Sequence, residues 1–210
     1  ASVDHTARVW EVETGKLVSE LKGHADSLVS AAYSPDGKRV VTGSMDKTAR
    51  VWEAETGRLV AELKGHGDSI ISAAYSPDGK RVVTASWDKT ARVWEAETGR
   101  LVAELKGHGD KIWSAVYSPD GKRVVTASED KTARVWEAET GRLVAELKGH
   151  GDTVINAVYS PDGKKVVTAS WDQTARVWEA ETGRLVAELK GHGDRVMSAV
   201  YSLDGTRVVT

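Results

Sequence analysis

Residues 43–84 read GSMDKTARVWEAETGRLVAELKGHGDSIISAAYSPDGKRVVT, and this pattern of 42 residues occurs five times in the 210-residue chain. The other copies are residues 1–42, 85–126, 127–168 and 169–210. A fixed period of this length predicts a repeat architecture, in which neighbouring units bury a continuous core between them. The period is therefore a better guide to the fold than a domain count taken from the chain length.

Each repeat contains four short runs of strand-forming residues separated by turn signals. In the middle of the chain, the predicted strands are residues 70–76, 81–86, 90–95 and 100–105, because they are apolar or alternating and carry no helical stripe. The segment Ser76-Pro77-Asp78-Gly79 predicts a turn between the first two strands. Four strands in about 42 residues are typical of a β-propeller blade. A helical solenoid would need a 3.6-residue period, and a β-helix would need shorter repeats.

The repeat resembles the WD40 family over the whole chain. Each copy carries a Gly-His pair, a later Asp and a Trp at the end of the third strand. The Trp-Asp dipeptide of the family appears here as Trp-Glu, for example at Trp52-Glu53 and Trp94-Glu95. The resemblance implies an all-β fold, a WD40-type β-propeller of four-stranded antiparallel blades. It also implies a non-enzymatic scaffold that binds proteins or peptides.

The resemblance further places one His, Thr, Asp and Trp of each blade in a buried chain of hydrogen bonds. The chemistry fits, because the indole N–H only donates, the hydroxyl and the neutral imidazole do both, and the carboxylate only accepts. A hydrolase triad is the alternative for these residue types, but five copies of one active site argue against it. Ser86 is the alternative to Thr84 as the hydroxyl. The implied residues are His24, Thr42, Asp46, Trp52, His66, Thr84, Asp88, Trp94, His108, Thr126, Asp130, Trp136, His150, Thr168, Asp172, Trp178, His192, Thr210, Asp4 and Trp10.

The repeat register divides one blade between the two ends of the sequence. Residues 1–210 are predicted to be a single propeller array, and residues 1–22 and 191–210 are predicted to hold the last two and the first two strands of the divided blade. The undivided blades are predicted at residues 23–64, 65–106, 107–148 and 149–190.

Five blades are expected to close a WD40 ring poorly. Rings of this family usually have about seven blades, and propellers generally have about four to eight. The small inner-strand side chains Ala31, Ala73 and Ala115 are also typical of wider rings. We therefore expect a homodimer in which two copies complete each other's divided blade. The alternatives are a closed five-bladed monomer, a higher oligomer, or a fragment excised from a longer array.

Variation among the repeats is concentrated in a few columns. Twenty-seven of the 42 columns are identical in all five copies, which indicates recent amplification of one blade or design. Three variable columns mix aromatic, charged and small residues, which a densely packed core position would not tolerate. They are Val3, Met45, Trp87, Glu129 and Trp171; Ser27, Ser69, Lys111, Thr153 and Arg195; and Val29, Ile71, Trp113, Ile155 and Met197.

The resemblance places these three columns on one rim of the ring, where family members contact ligands. Exposed Trp and Arg residues are common interface anchors. The columns are therefore predicted to bind a protein or peptide, with drift at tolerant surface positions as the alternative. Two other hypotheses remain. One is a self-assembling structural or designed repeat protein without a ligand, and the other is a site for a glycan or small molecule on the Trp-rich rim.

Composition excludes several other classes of function. The net charge is −2 with both signs interspersed, so nucleic acid is not an expected partner. The chain has no cysteine, which excludes disulfides, iron–sulfur clusters and thiolate zinc sites. No apolar run approaches the roughly 20 residues of a membrane span, and no metal or cofactor motif is present. We expect no catalysis, cofactor, metal or membrane partner. The compartment is left open, with the cytoplasm as the default.

Overall fold

The computed structural model describes residues 2–210, which form β-strands joined by turns and contain no helix. The strands are β1 (Thr6–Trp10), β2 (Leu17–Lys22), β3 (Leu28–Tyr33), β4 (Arg39–Ser44), β5 (Thr48–Glu53), β6 (Leu59–Lys64), β7 (Ile70–Tyr75), β8 (Arg81–Ser86), β9 (Thr90–Glu95), β10 (Leu101–Lys106), β11 (Ile112–Tyr117), β12 (Arg123–Ser128), β13 (Thr132–Glu137), β14 (Leu143–Lys148), β15 (Val154–Tyr159), β16 (Lys165–Ser170), β17 (Ala175–Glu179), β18 (Leu185–Leu189), β19 (Val200–Tyr201) and β20 (Val208–Val209). The prediction of an all-β fold is confirmed.

Sixteen of these strands form four antiparallel sheets, which we call blades 1 to 4. They are β3–β6, β7–β10, β11–β14 and β15–β18, and in each sheet the strands pair in chain order. This is the four-stranded antiparallel architecture expected for WD40-type blades. In blade 2 the second and third strands have their predicted bounds, whereas the fourth begins one residue later, at Leu101. Arg100 stays in the turn because its carbonyl accepts a hydrogen bond from the Glu95 N–H at 2.8 Å.

The core lies between neighbouring blades rather than within one sheet. Val83 and Val93 of blade 2 form one buried cluster with Trp136 of blade 3. In the same way, Trp178 of blade 4 packs against Val125 and other buried residues of blade 3. The Trp at the end of the third strand of a blade thus covers the apolar face of the preceding blade, which is why a single repeat could not bury its own core.

The repeat divided between the two ends of the sequence forms two separate sheets. Strands β1 and β2 form one two-stranded sheet, the N-terminal half-blade, and β19 and β20 form another, the C-terminal half-blade. The N-terminal half-blade packs on blade 1 through Ala7 and Leu21, and the C-terminal half-blade packs on blade 4 together with Val196 and Ala199, which immediately precede it. Strand β1 pairs only with β2, and β20 only with β19, so one chain contains no closed fifth blade among residues 2–210.

Candidate functional site

Each of the four blades contains a buried chain of side-chain hydrogen bonds, illustrated here by blade 2. His66 Nδ1 lies 2.8 Å from Asp88 Oδ2, and His66 Nε2 lies 2.8 Å from Thr84 Oγ1. Trp94 Nε1–H donates to the same Thr84 hydroxyl at 2.9 Å. With the carboxylate as acceptor, Nδ1 carries the imidazole proton, and Thr84 donates to Nε2 while it accepts from the indole. Every donor and acceptor in the chain is then used.

The structure brings the corresponding residues together in the other three blades. The contacts to the His and to the Thr hydroxyl are 2.7–2.9 Å long in each of them. The three further sets are His24, Thr42, Asp46 and Trp52; His108, Thr126, Asp130 and Trp136; and His150, Thr168, Asp172 and Trp178.

The neighbouring serine has a different role from the threonine. Ser86 Oγ donates to the Asp68 carbonyl at 3.0 Å and accepts from the Asp88 N–H at 3.1 Å, so it holds the turn above the network. Thr84 itself is fully buried. A hydroxyl that is closed to solvent and already accepts from Trp94 is not placed to attack a substrate, although His66 and Asp88 stand beside it. The geometry therefore matches a rigidifying network rather than a nucleophile.

Burial and hydrogen bonding set the charges in this network. Burial lowers the pKa of His24, His108 and His150 and outweighs the raising effect of the adjacent carboxylates. For Asp46, burial alone would raise the pKa, but hydrogen bonds from Thr48, the Ala25 N–H and His24 bring it to about 2. These shifts favour neutral imidazoles at His24, His108 and His150 and an ionised carboxylate at Asp46 near neutral pH.

These shifts predict that thermal stability falls in two steps on acidification. A His whose folded pKa is below 6.5 takes up a proton on unfolding, so its stabilising contribution is present above about pH 6.5 and is lost below it. Asp46, with its pKa lowered from 3.8 to about 2, adds a second loss below about pH 4. Calorimetry between pH 8 and pH 3 measures both steps. Replacing the exposed His5 by Gln is the control for loss of a histidine outside the network, and a constant Tm from pH 8 to pH 5 would contradict the assignment.

The fifth set of network residues is not assembled. His192 Nε2 contacts Thr210 Oγ1 at 2.6 Å in the C-terminal half-blade. In the N-terminal half-blade, Asp4 Oδ1 accepts from the Thr6 hydroxyl at 2.7 Å. Trp10 is 52% exposed, whereas the equivalent Trp residues of blades 1 to 4 are 1–2% exposed. The two halves of this set therefore lie on separate sheets.

Three of the predicted rim residues form a tryptophan cluster. The ring of Trp113 lies 5.8 Å from that of Trp87 and 6.0 Å from that of Trp171, centroid to centroid. Trp113 is the second residue of β11, the first strand of blade 3. Trp87 and Trp171 lie in the turns after β8 and β16. Trp113 thus bridges blades 2 and 4. All three rings are partly buried, and none of their indole N–H groups has a hydrogen-bond partner within residues 2–210.

Two cations stack on this tryptophan cluster. Lys111 Nζ lies 4.9 Å from the Trp87 ring, and the Arg195 guanidinium lies 4.5 Å from the Trp171 ring. In both pairs the cation stands 24 residues after the Trp, just before the first strand of the following blade or half-blade. Where the turn residue is Val, Met or Glu, the residue 24 positions later is instead Ser, Ser or Thr. Two of the variable columns therefore vary together, as expected for side chains that touch across a blade junction.

The remaining rim residues are less uniform than the sequence suggested. Ser69 and Thr153 are buried, although their columns were expected on the surface. Both immediately precede the inner strand of their blade, and their carbonyls accept hydrogen bonds from the N–H of Trp87 and Trp171 in the adjoining turn. The exposed members are Val3, Val29, Arg195 and Met197, and the partly buried members are Ser27, Met45, Ile71, Glu129 and Ile155.

The opposite end of the inner strands holds a cavity that the sequence comparison did not predict. It has a volume of about 590 Å³ and is lined by five copies of one Tyr-Ser-Pro or Tyr-Ser-Leu segment together with the preceding Ala or Val. The tyrosines are Tyr33, Tyr75, Tyr117, Tyr159 and Tyr201. Because the Tyr column is constant, the differences between repeats carry no signal for it. Only the position of the tyrosine at the end of each inner strand could have indicated that the five tyrosines line one cavity.

Two further features are absent from residues 2–210. Among them there is no long apolar helix of the kind that crosses a membrane. Within the same residues, no group of three or more His, Cys, Asp or Glu side chains is arranged to hold a metal ion.

Comparison with known proteins matches the chain to a repeat family. A family model described as WD domain, G-beta repeat matches the chain four times, at residues 15–53, 57–95, 99–137 and 141–179. An uncharacterized WD repeat-containing protein of Schizosaccharomyces pombe is 48% identical over 44 residues. Coronin-7 of Mus musculus is 45% identical over 42 residues, and autophagy-related protein 16 of Arabidopsis thaliana is 40% identical over 40 residues.

These relatives match about one repeat each. The aligned segments cover 21%, 20% and 19% of this chain, and 11%, 5% and 8% of the three relatives. The chain thus aligns with about a tenth or less of the length of each relative.

Proposed function

We propose that this chain, which belongs to the WD domain, G-beta repeat family, is a non-enzymatic interaction scaffold whose ring is completed by a second copy of itself. Repeats of this family generally mediate protein–protein interaction, and its members are typically non-enzymatic scaffolds. The observation that carries the proposal is the divided repeat. Its two halves lie in separate sheets, and β1 and β20 each lack the neighbouring strand that the third and second strands of a complete blade have.

The apolar surfaces beside the two half-blades support completion by an equivalent sheet. Val12 is 98% exposed, whereas the Ala residues at its position in blades 1 to 4 are 2% exposed. On blade 4, Leu189 is only partly buried, whereas Leu147 at the same position of blade 3 is completely buried by the next blade. The face of blade 4 therefore lacks the cover that a third and fourth strand supply at every internal junction. The N-terminal half-blade of a second copy has the matching sequence.

Two copies related by a two-fold axis would satisfy both ends at once. The N-terminal half-blade of each copy would pair with the C-terminal half-blade of the other, which removes the unpaired edges of β1 and β20. The result is a closed assembly of ten repeats.

Light scattering coupled to size exclusion tests the homodimer. The proposal predicts twice the chain mass of 22.6 kDa. A mass of one chain, at micromolar concentration and over a tenfold dilution, would contradict it. A larger multiple of the chain mass would replace the dimer by a higher ring.

The tryptophan cluster and its two cations are the proposed binding surface for a protein or peptide. Partly buried aromatic rings beside Lys and Arg are the residue types that anchor interfaces. A glycan platform is less favoured, because the ring faces that a sugar would stack on already contact one another or a cation. The three indole N–H groups without partners could donate to a carbonyl-rich ligand once a ring moves.

A random peptide library displayed on phage tests this surface. Selection on the native chain, with counter-selection on the variant carrying Trp87→Ala, Trp113→Ala and Trp171→Ala, is expected to enrich peptides that bind the variant at least about thirtyfold more weakly. Leu101→Ala, on an outer strand, is the matched control and should bind like the native chain. If no peptide is enriched, or if all bind the native chain and the variant equally, the rim is not a peptide site. The chain would then be a self-assembling module only.

A further inference from the structure

An ion pair recurs at every junction between two complete blades. Arg39 Nε at the start of β4 lies 3.4 Å from Glu97 Oε1, in the turn between the last two strands of blade 2. The same contact joins Arg81 to Glu139 at 3.6 Å and Arg123 to Glu181 at 3.4 Å. In each pair the acidic residue follows the basic one by 58 positions. The contact therefore always runs from one blade to the next.

The period assigns partners to four residues that have none in a single chain. Continuing the 58-residue interval across the divided repeat pairs Lys165 with Glu13, and Arg207 with Glu55. All four side chains are exposed, and none forms an ion pair within 4.0 Å among residues 2–210. The equivalent residues at the internal junctions form an ion pair with the neighbouring blade. These four residues lie where a single chain supplies no neighbouring blade.

A tyrosine at the same junctions supports this assignment independently. Tyr75 lies between blades 1 and 2, close enough to Arg39 and Glu97 to feel their charges, and burial raises the pKa of its phenol. Tyr117 and Tyr159 have the same neighbours at the next two junctions. Tyr33 is the corresponding tyrosine of blade 1, and it is 53% exposed. At each internal junction, the preceding blade places a basic residue at the start of its second strand near the tyrosine. The period assigns Arg207 to this position next to Tyr33.

We propose that Arg207 of one copy pairs with Glu55 of the other, and Lys165 of one copy with Glu13 of the other, so that two charge pairs at each contact fix the register of the homodimer. This inference rests on the proposed homodimer. The pairs are exposed to solvent and add little affinity, but juxtaposed like charges oppose assembly. They therefore select the blade-completing register over other edge-to-edge pairings.

Two complementary charge reversals test the first pair. In Arg207→Glu, the dimer holds two Glu-Glu contacts, and in Glu55→Arg it holds two Arg-Arg contacts, since the two-fold axis repeats each one. Each variant alone is expected to raise the dimer Kd by about tenfold in sedimentation velocity at low salt. In the heterodimer that forms in an equimolar mixture of the two variants, both contacts join opposite charges, so the heterodimer Kd should return to the native value. Both sites are exposed, and circular dichroism confirms that each variant is folded.

The outcomes separate this inference from the homodimer itself. If the native chain has the mass of two copies but the mixture binds no more tightly than either variant alone, the ion pair is overturned and the homodimer stands. If the native chain has the mass of one copy, the homodimer is overturned as well. A double variant carries both reversals in one chain. If only this variant recovers native behaviour, and its mass is that of one chain, the blade closes within the molecule. Lys165→Glu mixed with Glu13→Lys repeats the test at the second pair.

Discussion

Replacing Thr126 by Val is expected to lower the free energy of unfolding by about 2–6 kcal/mol. The substitution keeps the shape of a completely buried side chain but removes the hydroxyl that contacts His108 Nε2 at 2.7 Å and accepts from Trp136 Nε1–H at 2.8 Å. Two buried polar groups are then left without partners, and each costs about 1–3 kcal/mol. Urea denaturation followed by tryptophan fluorescence measures the loss.

Thr140→Val is the matched control for this experiment. Thr140 lies in an exposed turn, where its hydroxyl donates to Glu137 Oε2 at 2.8 Å in contact with water. We expect this control to change the free energy of unfolding by less than about 0.5 kcal/mol. Equal effects of the two substitutions would show that the buried network does not stabilise the blade.

Trp10→Ala is expected to abolish the homodimer while leaving each chain folded. In one chain Trp10 is 52% exposed, so little native packing is lost. In the completed blade it would lie where Trp136 lies in blade 3, on the apolar face of a preceding blade. Truncating a buried Trp costs about 3–5 kcal/mol, and the dimer contains two copies. We therefore expect the dimer Kd to rise by at least about a thousandfold.

Sedimentation velocity over a dilution series measures this Kd, and circular dichroism reports the fold. Thr14→Ala, in the exposed turn after the same strand, is the control and should dimerise like the native chain. Trp136 is already buried within one chain. Trp136→Ala is therefore expected to lower the free energy of unfolding of the chain itself. A Trp10→Ala chain that still dimerises with native affinity would refute the placement of Trp10 in a shared blade.

The constant columns of the repeat predicted the architecture well. Alternation and turn residues determined the strands of blade 2 to within one residue, since each run fits only one register between its turns. The network positions followed from the family resemblance, and the structure places four of the five sets in contact. The exception is the set that includes Trp10 and His192, whose residues come from opposite ends of the sequence.

The variable columns and the cavity were harder to interpret. Ser69 and Lys111 occupy the same column, yet only Ser69 is buried, because burial there depends on the turn residue that packs above it. The pairing of Trp87 with Lys111 is visible in the sequence only once the turn of one blade is known to face the start of the next. The tyrosine cavity arises where five inner strands meet, which no single repeat encodes.

Cysteine trapping across the divided blade tests the central claim most directly. In blade 1, Val41 pairs with Val51, and the period therefore pairs Val209 with Val9 across the junction. The chain has no cysteine, so a Val9→Cys and Val209→Cys double variant introduces the only two thiols. Oxidised and run without reductant, it is predicted to migrate as a covalent dimer at twice 22.6 kDa. A disulfide formed within one chain, or two thiols that both remain reactive, would contradict completion of the blade by a second copy.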